Sequence, residues 1–250
     1  SSEAALSISN LAEAQRRAGL YEDSTQNFLA SVELLRANEG AFTQSVIQPL
    51  VGLGASYNSL GAYPEAVAVF REARTVNRRV FGLLNEGQIP ILDRLANALV
   101  SMQLYSEAED QKLEGMRIMF RTLGTDTIEI LPTLYKYARW LRRSYRFIAE
   151  RAYYQRAIEI IREIEGRDSA LLAHPLREIG NSLRVQKYAD GRGISSLRRA
   201  LAILEEQPEP DKLELARTLR DMGDWDTAFG FGGIGDEYQE AWALLDEVED

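Results

Sequence analysis

The chain has 250 residues, of which 45% are hydrophobic and 27% charged, with a formal net charge of −9. That apolar fraction suffices for a continuous core and excludes wholesale disorder, while the acidic balance argues against nucleic-acid or anionic-membrane binding, both driven by positive charge. The sequence has no cysteine, which removes thiolate nucleophiles, disulfides and cysteine-ligated metals together.

Taken in chain order, Ser1-Ser2-Glu3-Ala4 opens directly into helical sequence, without the basic and then apolar pattern of a signal segment. No apolar run approaches the roughly 20 residues of a membrane helix, so the chain reads as soluble, without membrane insertion. An aromatic residue then recurs at Tyr21, Tyr63, Tyr105, Phe147, Tyr188 and Trp225, in steps of 42, 42, 42, 41 and 37 residues. Proline keeps the same period at Pro49, Pro90, Pro132 and Pro175. Two residue types sharing one period mark an internal repeat.

Within a period the pattern is helical. Leu50, Leu53, Gly54 and Tyr57 fall at the i, i+3, i+4, i+7 positions of one buried helix face. Leu60-Gly61-Ala62-Tyr63-Pro64 interrupts that face, and Gly61 is placed to end the helix in a left-handed conformation. Ala66, Val69, Phe70 and Ala73 then line one side of a second helix. Six such pairs are expected over 4–40, 45–83, 88–124, 129–166, 172–207 and 211–250, forming a single array over 1–250. Three departures are expected. Arg142-Arg143-Ser144-Tyr145 lacks a turn glycine and predicts a different turn, and Ala189 to Gly193 delays the second helix of the fifth pair. In the sixth pair, the turn falls at Gly223-Asp224-Trp225, and residues 229–235 form an insertion loop before a capping helix.

The residues Leu53-Gly54-x-x-Tyr57, Gly61-x-Tyr63-x-x-Ala66-x-x-x-Phe70-x-x-Ala73 resemble a tetratricopeptide repeat, and the other five pairs carry imperfect copies. The 42-residue period and His174-Pro175 resemble the kinesin-light-chain-like subgroup. The resemblance implies an all-α, right-handed α-solenoid of about six antiparallel helix pairs, with the first helix of each pair lining a concave side. It also implies a non-catalytic, protein-binding role. The ending Ala241-Trp242-Ala243-Leu244-Leu245 and the Gly223-Asp224-Trp225 turn are similar to the last unit of exported bacterial repeat proteins, which favours a bacterial source and the periplasm over the cytoplasm.

On the first helices, a stripe runs beside the core-facing residues. In pair four it is Tyr135, Arg139 and Arg142; in pair five, Arg177, Asn181 and Arg184; in pair six, Leu213, Arg217 and Arg220. Pair three offers Asp93, Asn97 and Val100, and pair two Val51, Ala55 and Asn58. Thr133 to Arg143 holds Lys136, Arg139, Arg142 and Arg143 with no acid. Such a segregated basic stretch in repeats four to six fits an acidic protein or peptide segment, with Asn58 and Asn97 bonding its backbone. The competing reading is that these arginines pair with acids of the fold, such as Glu107, Glu109, Glu114, Glu159 and Glu163.

No catalytic constellation is visible. His174 is the sole histidine, and no Gly-x-Ser-x-Gly elbow occurs. Gly230 to Gly235 lacks the strand and the Lys-Ser/Thr of a phosphate loop. The acidic stretch Glu205 to Asp211 lacks calcium-loop spacing and reads as a turn. Trp140, Tyr153, Tyr154, Trp225 and Trp242 fall at helical spacing and are expected in packing. The expectation is therefore a scaffold without enzyme activity, cofactor or metal, binding a peptide or helix of a partner in its groove. The alternatives are a docking or sensor domain of a larger signalling, envelope-transport or enzyme protein, or a homo-oligomerising module that uses the exposed end of the array or the Gly230–Gly235 segment.

Overall fold

The computed structural model describes residues 1–189, 191–230 and 236–249, with the side chains of 236 and 247–249 outside the description. The chain divides into two compact units, Ser1–Thr122 and Leu123–Asp250. Among the described residues each unit is built from three antiparallel helix pairs, with no strand.

The first unit holds α1 (Ser2–Arg17), α2 (Tyr21–Glu39), α3 (Ile47–Ser59), α4 (Tyr63–Phe81), α5 (Ile89–Ser101) and α6 (Tyr105–Leu123). The second holds α7 (Leu131–Arg143), α8 (Phe147–Ile164), α9 (Ala173–Val185), α10 (Arg192–Glu205), α11 (Lys212–Phe229) and α12 (Asp236–Glu249). No described helix is long and apolar enough to cross a membrane.

The period is kept by two kinds of backbone punctuation. Each of the first five first helices ends on a residue in the left-handed region: Gly19, Gly61, Gln103, Tyr145 and Lys187, 42 residues apart. At each of them the same two hydrogen bonds close the helix. In the second pair these are Gly61 N–H to Asn58 O at 3.2 Å and Ala62 N–H to Tyr57 O at 2.9 Å. In the fourth they are Tyr145 N–H to Arg142 O at 3.0 Å and Arg146 N–H to Leu141 O at 2.9 Å. This is a Schellman closure, which satisfies carbonyls that the helix end leaves open. The different turn expected at Arg142-Arg143-Ser144-Tyr145 is therefore not what forms. Tyr145 takes glycine's place at φ 57°, and the pair reverses as the others do.

The second punctuation closes the second helices. Gly40 and Gly82 sit at φ 96° and 88° with ψ 169°, a region essentially closed to residues with a Cβ. A Thr, Asn or Ser at positions 43, 85, 127 and 169 then opens a short 3-10 turn, and the next first helix follows with proline in its first turn.

The cores lie between and within pairs. In the first unit Phe28, Leu53 and Ala12 pack together, and Val32, Leu35, Val46, Leu50 and Val76 form a second cluster. Phe70 lies flat on Gly54, where an added Cβ would stand 2.6 Å from the ring. In the second unit Trp225, fully buried, fills the space among Leu183, Leu197 and Met222, over Gly193.

The sixth pair departs from the expected layout. Gly223-Asp224-Trp225 lies inside α11, which runs on to Phe229 and closes on Gly230 at φ 72°. The expected turn is absent because Trp225 is worth more as core than as a turn aromatic, and Gly223 gives room for the Tyr238 ring of α12. The lean toward the periplasm drew partly on that turn and loses that support. The delayed second helix of the fifth pair is present, with α10 starting at Arg192 behind a left-handed Gly191; Asp190 lies outside the described residues. So do Phe231 to Gly235 of the expected insertion loop, which also served the oligomer alternative. Trp140 and Trp225 pack as expected, whereas Trp242 is exposed on α12.

Two predictions follow from the backbone and the packing. Tyr145 is exposed and its ring meets Phe147 edge-on at 6.2 Å, so Tyr145→Gly removes left-handed strain at little cost in packing, and should raise stability by about 1 kcal/mol in urea denaturation, while Gly61→Ala lowers it by a similar amount. Gly193→Ala would set a Cβ 2.0 Å from the Trp225 ring, so it should cost about 2 kcal/mol or more and shift the tryptophan emission.

Candidate functional site

The first helices carry the candidate residues, because the repeated closure sets each of them in the same phase within its unit. In the first unit, Val51 and Ala55 of α3 line a cavity of about 300 Å³ together with Glu13, Arg16 and Arg17 of α1 and Arg94 of α5. Asn58 is half-buried, with its Oδ1 enclosed and unbonded, while Asn97 is exposed on α5. Arg16 and Arg17 both bond Glu13, and the two guanidinium groups hold its carboxyl down at about 2. These α1 residues were not singled out in the sequence, although Arg16 stands 42 residues before Asn58.

In the second unit the basic residues separate into two populations. Arg142 donates from Nε to Glu150 at 2.5 Å and pairs with Glu178 at 2.8 Å, and its Nη2 donates to the Glu178 carbonyl at 3.0 Å. Glu150 is fully buried and also accepts from the Ser182 hydroxyl at 2.9 Å. Burial pushes its carboxyl above the ordinary carboxylate range, with Arg142 pulling the other way. Arg177, only 6% exposed, pairs with Asp221 at 3.0 Å and Glu214 at 3.4 Å. Asn181 donates to the same Asp221 oxygen at 2.6 Å, and Arg184 pairs with Asp224 at 3.1 Å. These four residues tie α7, α8, α9 and α11 together.

Arg217 and Arg220 are exposed and each makes one pair on its own helix, with Glu214 and Asp221. Arg139 and Arg143 of α7 are exposed and make no ion pair among the described residues. The acids that take up the inward arginines are Glu150, Glu178, Glu214, Asp221 and Asp224. The acids offered by sequence reasoning are used elsewhere: Glu107 by Arg71, Glu114 by Arg74 and Arg78, Glu159 by Arg156. The signal that could have found Asp221 and Asp224 is their helical spacing from Glu214, hidden by the turn expected at residues 223–225.

Tyr135 belongs to a different feature. Its ring meets His174 edge-on at 4.6 Å, and both pack on the buried Tyr154, at 5.9 and 6.2 Å. Burial raises both phenols above their ordinary range and lowers His174 below its own. The imidazole is spent on aromatic packing. Among the described residues no group of three or more His, Cys, Asp or Glu is arranged to hold a metal ion.

Asp221→Ala would leave Arg177 enclosed with only a long contact to Glu214. It should cost about 3 kcal/mol, whereas Arg217→Ala should stay within about 0.5 kcal/mol, both read by chemical denaturation.

Comparison with known proteins matches this geometry. Residues 3–79 match a tetratricopeptide repeat family model and residues 137–171 match a second one. No curated protein sequence matches the chain. Among solved structures, a Podosopora anserina kinesin light chain of nearly identical TPR-like repeats superposes with a TM-score of 0.63 at 14% identity, over 84% of this chain and 99% of that one. BtubC (BKLC) from P. vanneervenii gives a TM-score of 0.53 at 18% identity, over 90% of this chain and 87% of that one. At such identities the likeness is one of fold. Two stretches of the chain thus match as tetratricopeptide repeats, and the helix-pair architecture through both units is that of a tetratricopeptide-repeat fold.

Proposed function

We propose that the protein is an interaction module that holds an acidic segment of a partner protein on the first helices of its second unit. The observation that supports this reading is α7. It carries four basic residues and no acid, and two of them, Arg139 and Arg143, stand exposed without an ion-pair partner among the described residues. On a chain of net charge −9, cations left open beside paired ones are the groups available to an external carboxylate.

The inward residues have the complementary task. Arg142, Arg177, Asn181 and Arg184 hold the helices in place, so the site narrows to Arg139 and Arg143, with Arg217 and Arg220 on α11 as secondary contacts. In the first unit Asn97, exposed on α5, and Asn58, half-buried on α3, offer amides to a peptide backbone. The 42-residue step and the His174-Pro175 pair support placing the chain in the kinesin-light-chain-like subgroup of the repeat family.

The test uses a labelled peptide of alternating acidic and small residues. Arg139→Glu with Arg143→Glu should weaken its binding by on the order of tenfold at low salt, with a smaller difference at high salt and an unchanged melting temperature. Unchanged peptide affinity in a variant that folds normally would refute the role of α7.

A further inference from the structure

A cavity of about 410 Å³ opens at the heads of α7, α9 and α11, within the second unit. We infer that it is a docking pocket for a long cationic side chain, arginine or lysine, presented by a protein partner. The inference rests on the reading of the chain as an interaction module, and it adds a second contact of opposite sign to the α7 cations.

The chemistry of the lining selects the occupant. Ile128, Leu131, Pro132, Leu171 and Leu204 supply apolar walls. The Tyr135 and His174 rings stand edge to face at 4.6 Å and line the same space. Asp211 and Glu214 are the charged residues of its lining, and of the two Asp211 is the one without a cation partner among the described residues. A purely apolar guest would take water from those carboxylates without replacing its bonds, and an acidic guest would gain no pairing with the open Asp211 oxygen. A lysine or arginine fits all three features. Its methylene stem covers the apolar wall, its charge meets the open Asp211 carboxylate, and a phenol ring such as that of Tyr135 attracts a cation.

The two acids differ in what remains to them. Glu214 is already paired with Arg177 and Arg217. Asp211 caps α11 through Oδ1 alone, which accepts from the N–H groups of Leu213 at 3.0 Å and Glu214 at 3.1 Å. The other oxygen, Oδ2, has no partner among the described residues, and Asp211 forms no ion pair there. It is the group that a guest cation would meet.

His174 is the only histidine in the sequence, so its imidazole gives a single, local reporter by NMR. The full chain would be titrated with acetyl-arginine amide, acetyl-lysine amide, acetyl-norleucine amide and acetyl-glutamate amide. The expected result is a saturable shift of the His174 resonances with the two cationic probes below ~50 mM, and at least a fivefold weaker response to norleucine and glutamate. Asp211→Asn keeps the helix cap, since asparagine caps as well as aspartate, and should weaken the cationic probes by about fivefold. Tyr135→Leu should weaken them too while leaving the apolar wall. An equal response to norleucine, indifference to Asp211→Asn, or no saturable shift with any probe would overturn the inference. Acidic-peptide binding at α7, measured on the same sample, separates the readings: if it persists while arginine amide fails, the pocket falls and the interaction module stands.

Discussion

The left-handed residue that closes each first helix is the constraint on which the rest of the structure depends. It fixes where the chain reverses, and its return every 42 residues through the first five pairs sets their first helices in one phase within each unit. Once phase is fixed, residues 42 apart become equivalents. Positions 24, 66, 108 and 150 hold Ser, Ala, Ala and Glu, all buried at the start of a second helix. Ser24 meets Ser56 at 2.8 Å, and its equivalent Glu150 meets Ser182 at 2.9 Å, so one packing position has been converted from a small residue into a buried charge.

That conversion explains why the second unit is rich in arginine without being uniformly basic outside. A buried carboxylate is costly unless a cation accompanies it, and Arg142 supplies one for Glu150 as Arg177 does for Asp221. Guanidinium groups suit this work because a planar fork can reach two acids at once, and Arg142 and Arg177 each do so. Cations of this kind hold helices in register. Those left exposed, Arg139 and Arg143 on α7, are the ones with charge to offer a partner. The cavity at the helix heads adds the opposite sign, so the proposed surface of this unit reads both charges of a partner.

Much of the fold was legible in the sequence because periodicity is a one-dimensional signal. The turn aromatics, the prolines and the buried stripe at Leu50, Leu53, Gly54 and Tyr57 placed the pairs and their order. What escaped was decided in three dimensions. Tyr145 shows that a closure can persist without glycine when both flanking helices are already fixed by packing. Trp225 continues the series of aromatics, at a shorter step of 37 residues, yet serves the core, because the neighbouring Gly193 opens room for its ring. The site was less legible for the same reason. The stripe placed Arg139 and Arg142 on one face, but whether each meets solvent or a carboxylate depends on acids from other helices, and Glu150 and Glu178 cannot be assigned to Arg142 from spacing alone.

The division of the arginines into holding and offering groups can be read directly from their Nε–H signals in a 15N NMR spectrum, recorded with and without an acidic peptide. The account predicts slow solvent exchange for Arg142 and Arg177, with positions that do not move on addition. Arg139 and Arg143 should exchange rapidly when free and shift when the peptide is added. Rapid exchange at Arg177, or a peptide-induced shift confined to Arg142 and Arg177, would contradict it.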